Sequence, residues 1–591
     1  MGVARIYKFG TPYNAADLAD VQYAQTANLM YFVHIDRPVQ RLTRFGHTDW
    51  RFAEVQFGPT IAPPTGVTAS ASSPNMTGFV ATSYTYVVTG ISDTVGQESR
   101  ASAIATVTND LTLDGNYNTV SWTNMGYDRY AVYKGNNGVF GFIAGTEGTS
   151  IRDGTPIIIA DLADTPPKGQ NPLSGAGNYP SAITFHEQRA IFARTRNRPN
   201  AIFGTQSGDF ENLDTSRPAK ADDAFSFALV GKKVNAVNQV VSAKSLLALT
   251  TDSIFSVTGS SDNPIGPSSF LPKKQNDRGA SRLPAIEIDQ TVFFQPNQGS
   301  SVRALGFSFD IDGYRSNNVA IFSPHLFDTD TIVSWAYQNE PFSCIYAVMT
   351  SGRMLAFTWE QEQEVWGWTV LETQGLFKDV AVITEQGLDR VYVIVERQIG
   401  DATKRFYERM AVPQTDDYAT ACHLDCAVTQ VYDQMQKVVT GLDHLEGMTV
   451  SAFYDGYAET GLKVTGGAVT LQEAANIVSV GLPYVAEIET LPLTLSGQGG
   501  SYHTNRQTIA SVVVRAIDTK GVEVAVTGAT FEPIVERLAE PMGVLPEIGA
   551  RDYDIKLPST WSDGATLTIR QTQPMPMHIT GLFVEPDVGD D

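Results

Sequence analysis

The sequence predicts a mainly β chain: a β-propeller-like body, an inserted fibronectin III or immunoglobulin-like sandwich, and a C-terminal β-rich region. Three observations predict it. First, 50 glycines and 30 prolines punctuate short runs rich in Val, Thr, Ile, Phe and Tyr, the pattern of strands separated by turns. Second, an apolar strand, a turn and another strand recur at a spacing close to that of a four-stranded propeller blade. Third, one stretch bounded by proline pairs breaks that rhythm. At 591 residues, 42% of them hydrophobic, the chain is too long for a single core and divides into several domains.

Residues 1–62 read as an N-terminal helix followed by the first blade-like hairpin. The helix is expected within NAADLADVQYAQ, where Asn14 caps the first turn, Asp17 favours it electrostatically, and Leu18, Val21 and Gln25 share one side. The hairpin follows in MYFVHIDRPVQRLTRFGHTDW. Residues 63–167 form the insert, with Pro63-Pro64 at one end and Pro166-Pro167 at the other. Inside it, Tyr84, Tyr86 and Val88 alternate with Ser83, Thr85, Val87 and Thr89, and RYAVYKGNNGVFGFIAG reads as strand, Gly/Asn turn, strand. A sandwich of this size needs no cysteine pair. Deleting it is expected to leave the body folded, and its bulk places it on the outside of any assembly.

Residues 168–420 continue the propeller-like body. With the insert set aside, IFARTRNRPNAIFGTQSGDF from 191 repeats the plan of the hairpin at 30–50. Comparable units begin at SLLALTTDSIFSV (245), TVFFQPNQGSSVRAL (291), RMLAFTWEQEQEVWGW (353) and RVYVIVERQIGDATKRFYERM (390). Residues 421–591 form the acidic C-terminal region.

The formal net charge is -22. Residues 421–591 hold 22 acids against 9 bases, whereas residues 1–62 hold 5 against 6. A surface of this sign repels a polyanion, which argues against tight, sequence-specific DNA binding but not against DNA sliding past. No apolar run is long enough to span a bilayer as a helix. MGVARIYKFG carries no apolar signal segment, and Ile6 stands where a myristoylation signal places Ser or Thr. The three cysteines are too few for a disulfide framework and fit a reducing assembly compartment.

Two basic clusters stand out in so acidic a chain. Arg37, Arg41 and Arg44, followed by Arg51, lie in the first hairpin, and Arg189, Arg194, Arg196 and Arg198 in its repeat. The pleat sends Arg41 and Arg44 to opposite faces, so neither cluster makes a phosphate clamp by itself. They read as solvated or inter-subunit ion pairs, or as a contact surface for an acidic partner such as a neighbouring copy.

No catalytic, cofactor or metal residue is assigned. Glu360, Glu362 and Glu364 suggest a glycosidase pair but fit a solvated hairpin tip better. On one strand, Cys422 and Cys426 would lie roughly 13 Å apart, too far to share zinc or a disulfide, so both read as buried free thiols. Asp310 and Asp312 lack the further carboxylates of a calcium loop. Neither a phosphate-binding glycine loop nor a G-x-S-x-G elbow is present. The chain is therefore not expected to be an enzyme.

Four passages carry a family resemblance: TPYNAADLADVQYAQTANLMYFVHIDRPVQRLTRFGHTDW, LDHLEGMTVSAFYDG, GLPYVAEIETLPLT and QPMPMHITGLFVEPDVGD. With the blade-like middle between them, they resemble the tail nozzle, or tail tubular protein B, family of short-tailed, podovirus-like phages. The resemblance implies a structural virion protein, assembled in the host cytoplasm into a homo-oligomeric ring, commonly a hexamer. It also implies partners: tail adaptor or head-to-tail connector proteins, with tail fibres or spikes possible neighbours. Double-stranded DNA would pass through without sequence-specific binding. An acidic lining would limit friction, and GSYHTNR or the run around Met575 and Met577 would be candidate constriction loops. The alternative is a carbohydrate-binding or glycan-cleaving tail propeller used in host attachment, with a concave pocket of aromatic and carboxylate side chains.

Overall fold

The computed structural model describes residues 7–154, 156–231, 235–260, 263–412, 421–493, 496–497, 500–501, 505–535, 549–558 and 561–589. It is almost entirely antiparallel sheet; among the described residues the only helices are three single 3-10 turns. The chain divides into two compact units, Ile6–Thr329 and a second that carries Asp330–Asp591. That division falls inside the 168–420 stretch.

The first unit contains four meanders, each of four consecutive antiparallel strands. The first comprises Gln22–Thr26, Leu29–His34, Arg37–Gly46 and Asp49–Glu54, and the second Ala182–His186, Arg189–Ala193, Ala201–Gly204 and Phe225–Ala228. The third comprises Val237–Ser242, Leu246–Thr250, Ile254–Thr258 and Leu271–Asn276, and the fourth Ile286–Ile288, Thr291–Phe294, Arg303–Ser308 and Gly313–Asn318. These are propeller blades, packed face to face. Because side chains alternate across a strand, Ala190 and Phe192 enter the core shared with the first meander, while Ile191 and Ala193 enter the core shared with the third. The third meander repeats the arrangement, with Leu246 and Ala248 facing back and Leu247 and Leu249 facing the fourth. Two-sided burial is why these strands read as unbroken apolar runs. Each buried leucine or phenylalanine contributes about 1.5–3 kcal/mol.

The recurrent hairpin of the sequence is the second and third strands of a meander at 30, 191, 245, 291 and 390. At 353 it is the third and fourth, Met354–Glu360 and Val365–Leu371.

The expected N-terminal helix does not form. Asn14 does act as a cap, its Oδ1 accepting from the backbone N–H of Ala16 at 3.0 Å and of Asp17 at 3.2 Å. Two successive turns follow, closed by Asp17 N–H to Asn14 O and Asp20 N–H to Asp17 O, and Gln22 already begins a strand. Leu18 is left exposed. Tertiary pairing of Gln22–Thr26 with Leu29–His34 outweighs a weak local helix preference.

The insert is a two-sheet sandwich. Val139–Thr146, Arg129–Asn136, Thr82–Ser92, Gln97–Glu98 and Ala105–Asn109 make one sheet, and Ser150–Gly154, Tyr117–Ser121 and Thr68–Ser72 the other. Tyr86, Val88, Trp122, Tyr130 and Val132 fill its core. The opposite side of Thr82–Ser92 is covered as well, since Val87 packs with Ala131 and Tyr133. The sandwich is fastened to the second meander. Arg100 grips Asp214 through two hydrogen bonds of 2.8 Å, Lys220 pairs with Asp164 at 2.9 Å, and Lys168 and Thr215 exchange backbone bonds. Asp214 is wholly buried beneath this junction and also accepts from Gln170 N–H at 3.1 Å, so the insert is joined to the body by a buried ion pair as well as by its two chain crossings.

In the second unit, a fifth meander (Ile332–Gln338, Cys344–Met349, Met354–Glu360, Val365–Leu371) packs on a three-stranded sixth (Leu376–Glu385, Leu388–Ile399, Ala402–Arg409). A four-stranded sheet follows, ordered Asp425–Val439, Val469–Leu482, Thr449–Tyr454, Tyr457–Lys463. A final pair of sheets encloses Ile509, Val512, Val514, Val524, Leu567 and Ile569. Arg397, with a fully buried side chain, ties the sixth meander to the sheet after it. It pairs with Glu408 at 2.9 Å and Asp425 at 2.8 Å and donates to Thr373 Oγ1 at 2.6 Å.

Replacing Arg100 by alanine is expected to cost roughly 2–4 kcal/mol, because it leaves Asp214 buried and unneutralised. Thermal denaturation should show the loss, and adding Asp214→Asn should recover part of it. Equal melting temperatures for wild type and Arg100→Ala would refute this account of the junction.

Candidate functional site

The polar centre of the first unit is built from the first strands of its meanders. Gln22 Nε2 donates to Asn238 O and to Arg282 O, each at 3.2 Å, so the first meander reaches both the third strand set and the approach to the fourth. Arg282 pairs with Asp20. Arg194 donates to Asn238 Oδ1, and the Asn238 amide donates onward to Ala280 O at 2.8 Å. These bonds close the space between the strands.

The arginines singled out in the sequence are spent mostly inside the chain. Arg37 pairs with Asp17 at 2.7 Å and Arg41 with Glu211 at 2.7 Å; Glu211 also accepts from Tyr31 at 2.8 Å. Burial, then this carboxylate, pushes the Tyr31 hydroxyl well above its usual range. Arg196 makes two bonds of 2.6 Å to Asp36, which hold that carboxyl below its ordinary value. Arg198 stacks over Phe203 at 5.0 Å, a cation–π contact. Arg189 is buried and donates to the carbonyls of Ala221 and Asp223 at 2.8 Å; burial lowers its pKa, though a guanidinium keeps its proton. Among the described residues, the Arg44 side chain meets only His47 at 3.2 Å and the Trp50 ring at 5.6 Å. Arg37, Arg41 and Arg196 thus each have a carboxylate partner within the chain, and Arg189 is buried. Arg41 and Arg196 are staples between the first two meanders.

Two clefts open at opposite ends of the strands of the third meander. One, of about 760 Å³, is lined by Thr251, Asp252, Phe255, Lys274, Asp277 and Arg278 among others, from loops between second and third strands and from links to the next meander. Lys274 and Asp277 are paired there. The other, of about 820 Å³, is lined by His186, Glu187, Lys244, Ser245 and Lys273 among others. His186 Nδ1 shares a 2.8 Å hydrogen bond with Ser242, and burial lowers its pKa so that the neutral ring is favoured. Glu187 lies 3.9 Å from the other ring nitrogen and accepts from Ile265 N–H at 2.7 Å. This hydroxyl–imidazole pair had no sequence signal, because its members lie 56 positions apart.

Glu360, Glu362 and Glu364 are exposed at a hairpin turn. Cys422 precedes the strand that begins at Asp425, so the two cysteines are not on one strand. All three thiols are free; Cys344 is buried, whereas Cys422 and Cys426 are only half-buried, and burial raises the Cys426 pKa to about 12. No group of His, Cys, Asp or Glu among the described residues is arranged to hold a metal. Met577 packs on the C-terminal core, which occupies a side chain considered for a constriction. Residues 502–504 of GSYHTNR lie outside the described residues.

No protein-family model and no curated protein matches the chain. Among solved structures it is similar to the Neurospora crassa Pan2 WD40 domain, at 8% identity and a TM-score of 0.26 over 63% of this chain and 84% of that one. It is also similar to the Pseudomonas aeruginosa periplasmic gluconolactonase PpgL, at 12% identity and a TM-score of 0.25 over 56% of this chain and 100% of that one. These likenesses are too distant to say what the chain does.

The Asp36–Arg196 staple has a defined pH dependence. Because the folded carboxyl titrates below the ordinary carboxylate value, its stabilisation is present above that ordinary value and disappears as pH falls through the folded one. Asp36→Asn should therefore melt slightly below wild type at neutral pH, by less than ~1 kcal/mol for so exposed a pair, and the difference should close on acidification. A gap that stays constant down to pH 2 would show that the charge is not its source.

Proposed function

We propose that this chain is a structural virion protein of the tail-nozzle class, a subunit of a ring, commonly of six copies as the resemblance implies, that extends the portal and adaptor and conducts genomic DNA. One observation carries the assembly part of this reading. The outer strand of the fourth meander, Gly313–Asn318, is flanked by Phe309 and Ile311 before it and Ile321 and Phe322 after it, all exposed, with Phe309 at 86% and Phe322 at 90%. These two pairs of large apolar side chains, one at each end of the outer strand, suit cover by another subunit. The four passages that resemble the nozzle family supply the rest.

On this reading the DNA path lies between copies. The 3.2 Å bonds of Gln22 tie the inner strands of the first and third meanders too closely for a duplex to pass between them. Duplex DNA carries one charge per ~1.7 Å, and a basic lumen would hold it through counterion release. A surplus of acids in residues 421–591 avoids that friction where such residues line the path, within a screening length of roughly 8–10 Å.

A glycan-binding or glycan-cleaving propeller is the second reading, favoured by the cleft that carries Asp252, Asp277 and Phe255. Release of reducing sugar from host surface polysaccharide, abolished by Asp252→Asn, would support it over the first.

The test of the first reading is mass spectrometry and imaging of purified particles, in which the chain should form a multi-copy ring in the tail. Phe309→Asp with Phe322→Asp should cut incorporation at least about tenfold, the loss of one or two buried apolar side chains per contact, while leaving the melting temperature of the free protein unchanged. Particles that lack the chain, or carry it as one copy, would refute the reading.

A further inference from the structure

In the sandwich, a lysine and an aspartate meet across the space between the two sheets. Tyr130, Val132 and Lys134 alternate onto the inner face of Arg129–Asn136, and Ile151 and Asp153 onto the inner face of Ser150–Gly154. Those strands belong to opposite sheets. Lys134 Nζ lies 2.8 Å from Asp153 Oδ2, with the lysine side chain 9% exposed and the aspartate 0%. Tyr86 O–H donates to the same oxygen at 2.6 Å and accepts from Asn118 Nδ2 at 2.9 Å. The Tyr84 ring centre is 5.0 Å from the ammonium.

This surrounding is poor for two charges. Lys134 has one further acceptor, the carbonyl of Ile158 at 3.3 Å, and Asp153 Oδ1 is buried with no hydrogen-bond partner among the described residues. Taking both ions out of water is repaid only when their remaining protons and lone pairs are satisfied, and Oδ1 is not. Condensation removes both charges. A proton crosses the 2.8 Å contact from the ammonium to Oδ2. The neutral amine then attacks Cγ, which lies one C–O bond beyond the contacted oxygen and so near the roughly 3–3.5 Å of a near-attack pair. The bond formed is Nζ–Cγ and the bond broken is Cγ–Oδ2. Oδ2 departs as water, both of its protons having begun on the ammonium, and Oδ1 stays as the amide carbonyl. Tyr86, already donating to Oδ2, is placed to pass its proton to the leaving oxygen and recover one from the nitrogen. Burial pushes this hydroxyl well above its usual range, so it is present as a donor.

We propose that Lys134 and Asp153 are joined by an isopeptide bond that cross-links the two sheets of the insert. Antibody domains of this architecture are stapled by an inter-sheet disulfide. None of the three cysteines lies in the insert, and an amide, unlike a disulfide, persists in a reducing compartment. The cross-link does not depend on the tail reading, and its failure leaves that reading untouched.

The test is intact-mass spectrometry of the full chain, followed by tryptic mapping. Wild type should weigh one water less than its sequence. Trypsin does not cut after an acylated lysine, so residues 130–152 should appear joined to residues 153–168 as one branched species, with fragment ions placing the link at Lys134 and Asp153. Lys134→Arg, which keeps a cation but removes the amine, should have its full sequence mass. Asp153 can also lose water by closing onto the backbone nitrogen of Gly154, but that product leaves Lys134 open to trypsin and persists in Lys134→Arg. Full sequence mass in wild type, or a loss of water that maps to the closed ring at Asp153-Gly154, would overturn the inference. Both outcomes are read on wild type, whether or not the variant folds.

Discussion

The rest of the first unit depends on the packing of meander against meander. A strand such as Leu246–Thr250, apolar on both faces, has no stable state in which either face is wet, so the second and third meanders need a neighbour on both sides. Phe192 and Phe203 fill the space toward the first meander and Ile191 and Ile202 that toward the third. This explains where polar side chains are tolerated inside. Gln22 and Asn238 sit at the inner strands, where apolar faces give way to backbone carbonyls from several meanders, and their amides satisfy those carbonyls. Buried polar groups survive there because they are bonded.

Charge follows from the same geometry. Forty-two basic residues against sixty-four acidic ones would suggest that arginine is kept for partners, yet its main use is internal. Where a loop crosses from one meander to another, its backbone carbonyls and carboxylates need donors, and a guanidinium offers five in a fixed fork. Arg189 serves carbonyls, Arg41 and Arg196 serve carboxylates of the adjacent meander, and Arg397 serves both kinds at once. A buried pair is not in itself a large source of stability. Its effect is on specificity, since Arg397 without Asp425 and Glu408 would be intolerable, and this fixes how the sixth meander meets the following sheet.

Much of this was legible in the sequence, for reasons that also mark its limits. The second and third strands of a meander are joined by short turns, and both are apolar, so hairpins such as SLLALTTDSIFSV stand out. The fourth strand is hidden. In the second meander Phe225–Ala228 follows Ala201–Gly204 only after a long polar loop, and that loop, through Glu211 and Asp214, wedges between elements far away in sequence. At 353 two tight hairpins follow each other, so periodicity selected the third and fourth strands instead. The N-terminal helix failed where a cap signal was correctly placed but Gln22 was required in a strand. The arginine staples were invisible because Arg41 and Glu211 lie 170 positions apart and Arg196 and Asp36 lie 160 apart.

The acidity of the C-terminal region is not uniform, and its structure shows which part remains for solvent. Arg515 grips Asp552 with bonds of 2.8 and 2.9 Å, and Arg570 pairs with Glu523 at 2.8 Å while its guanidinium stacks 3.5 Å from the Phe531 ring centre. These acids are already answered. Asp433, Glu473 and Glu487 are exposed and contribute to the net surplus. Such a surplus keeps a β-rich surface from unselective edge pairing, because like charges brought opposite one another destabilise a ladder.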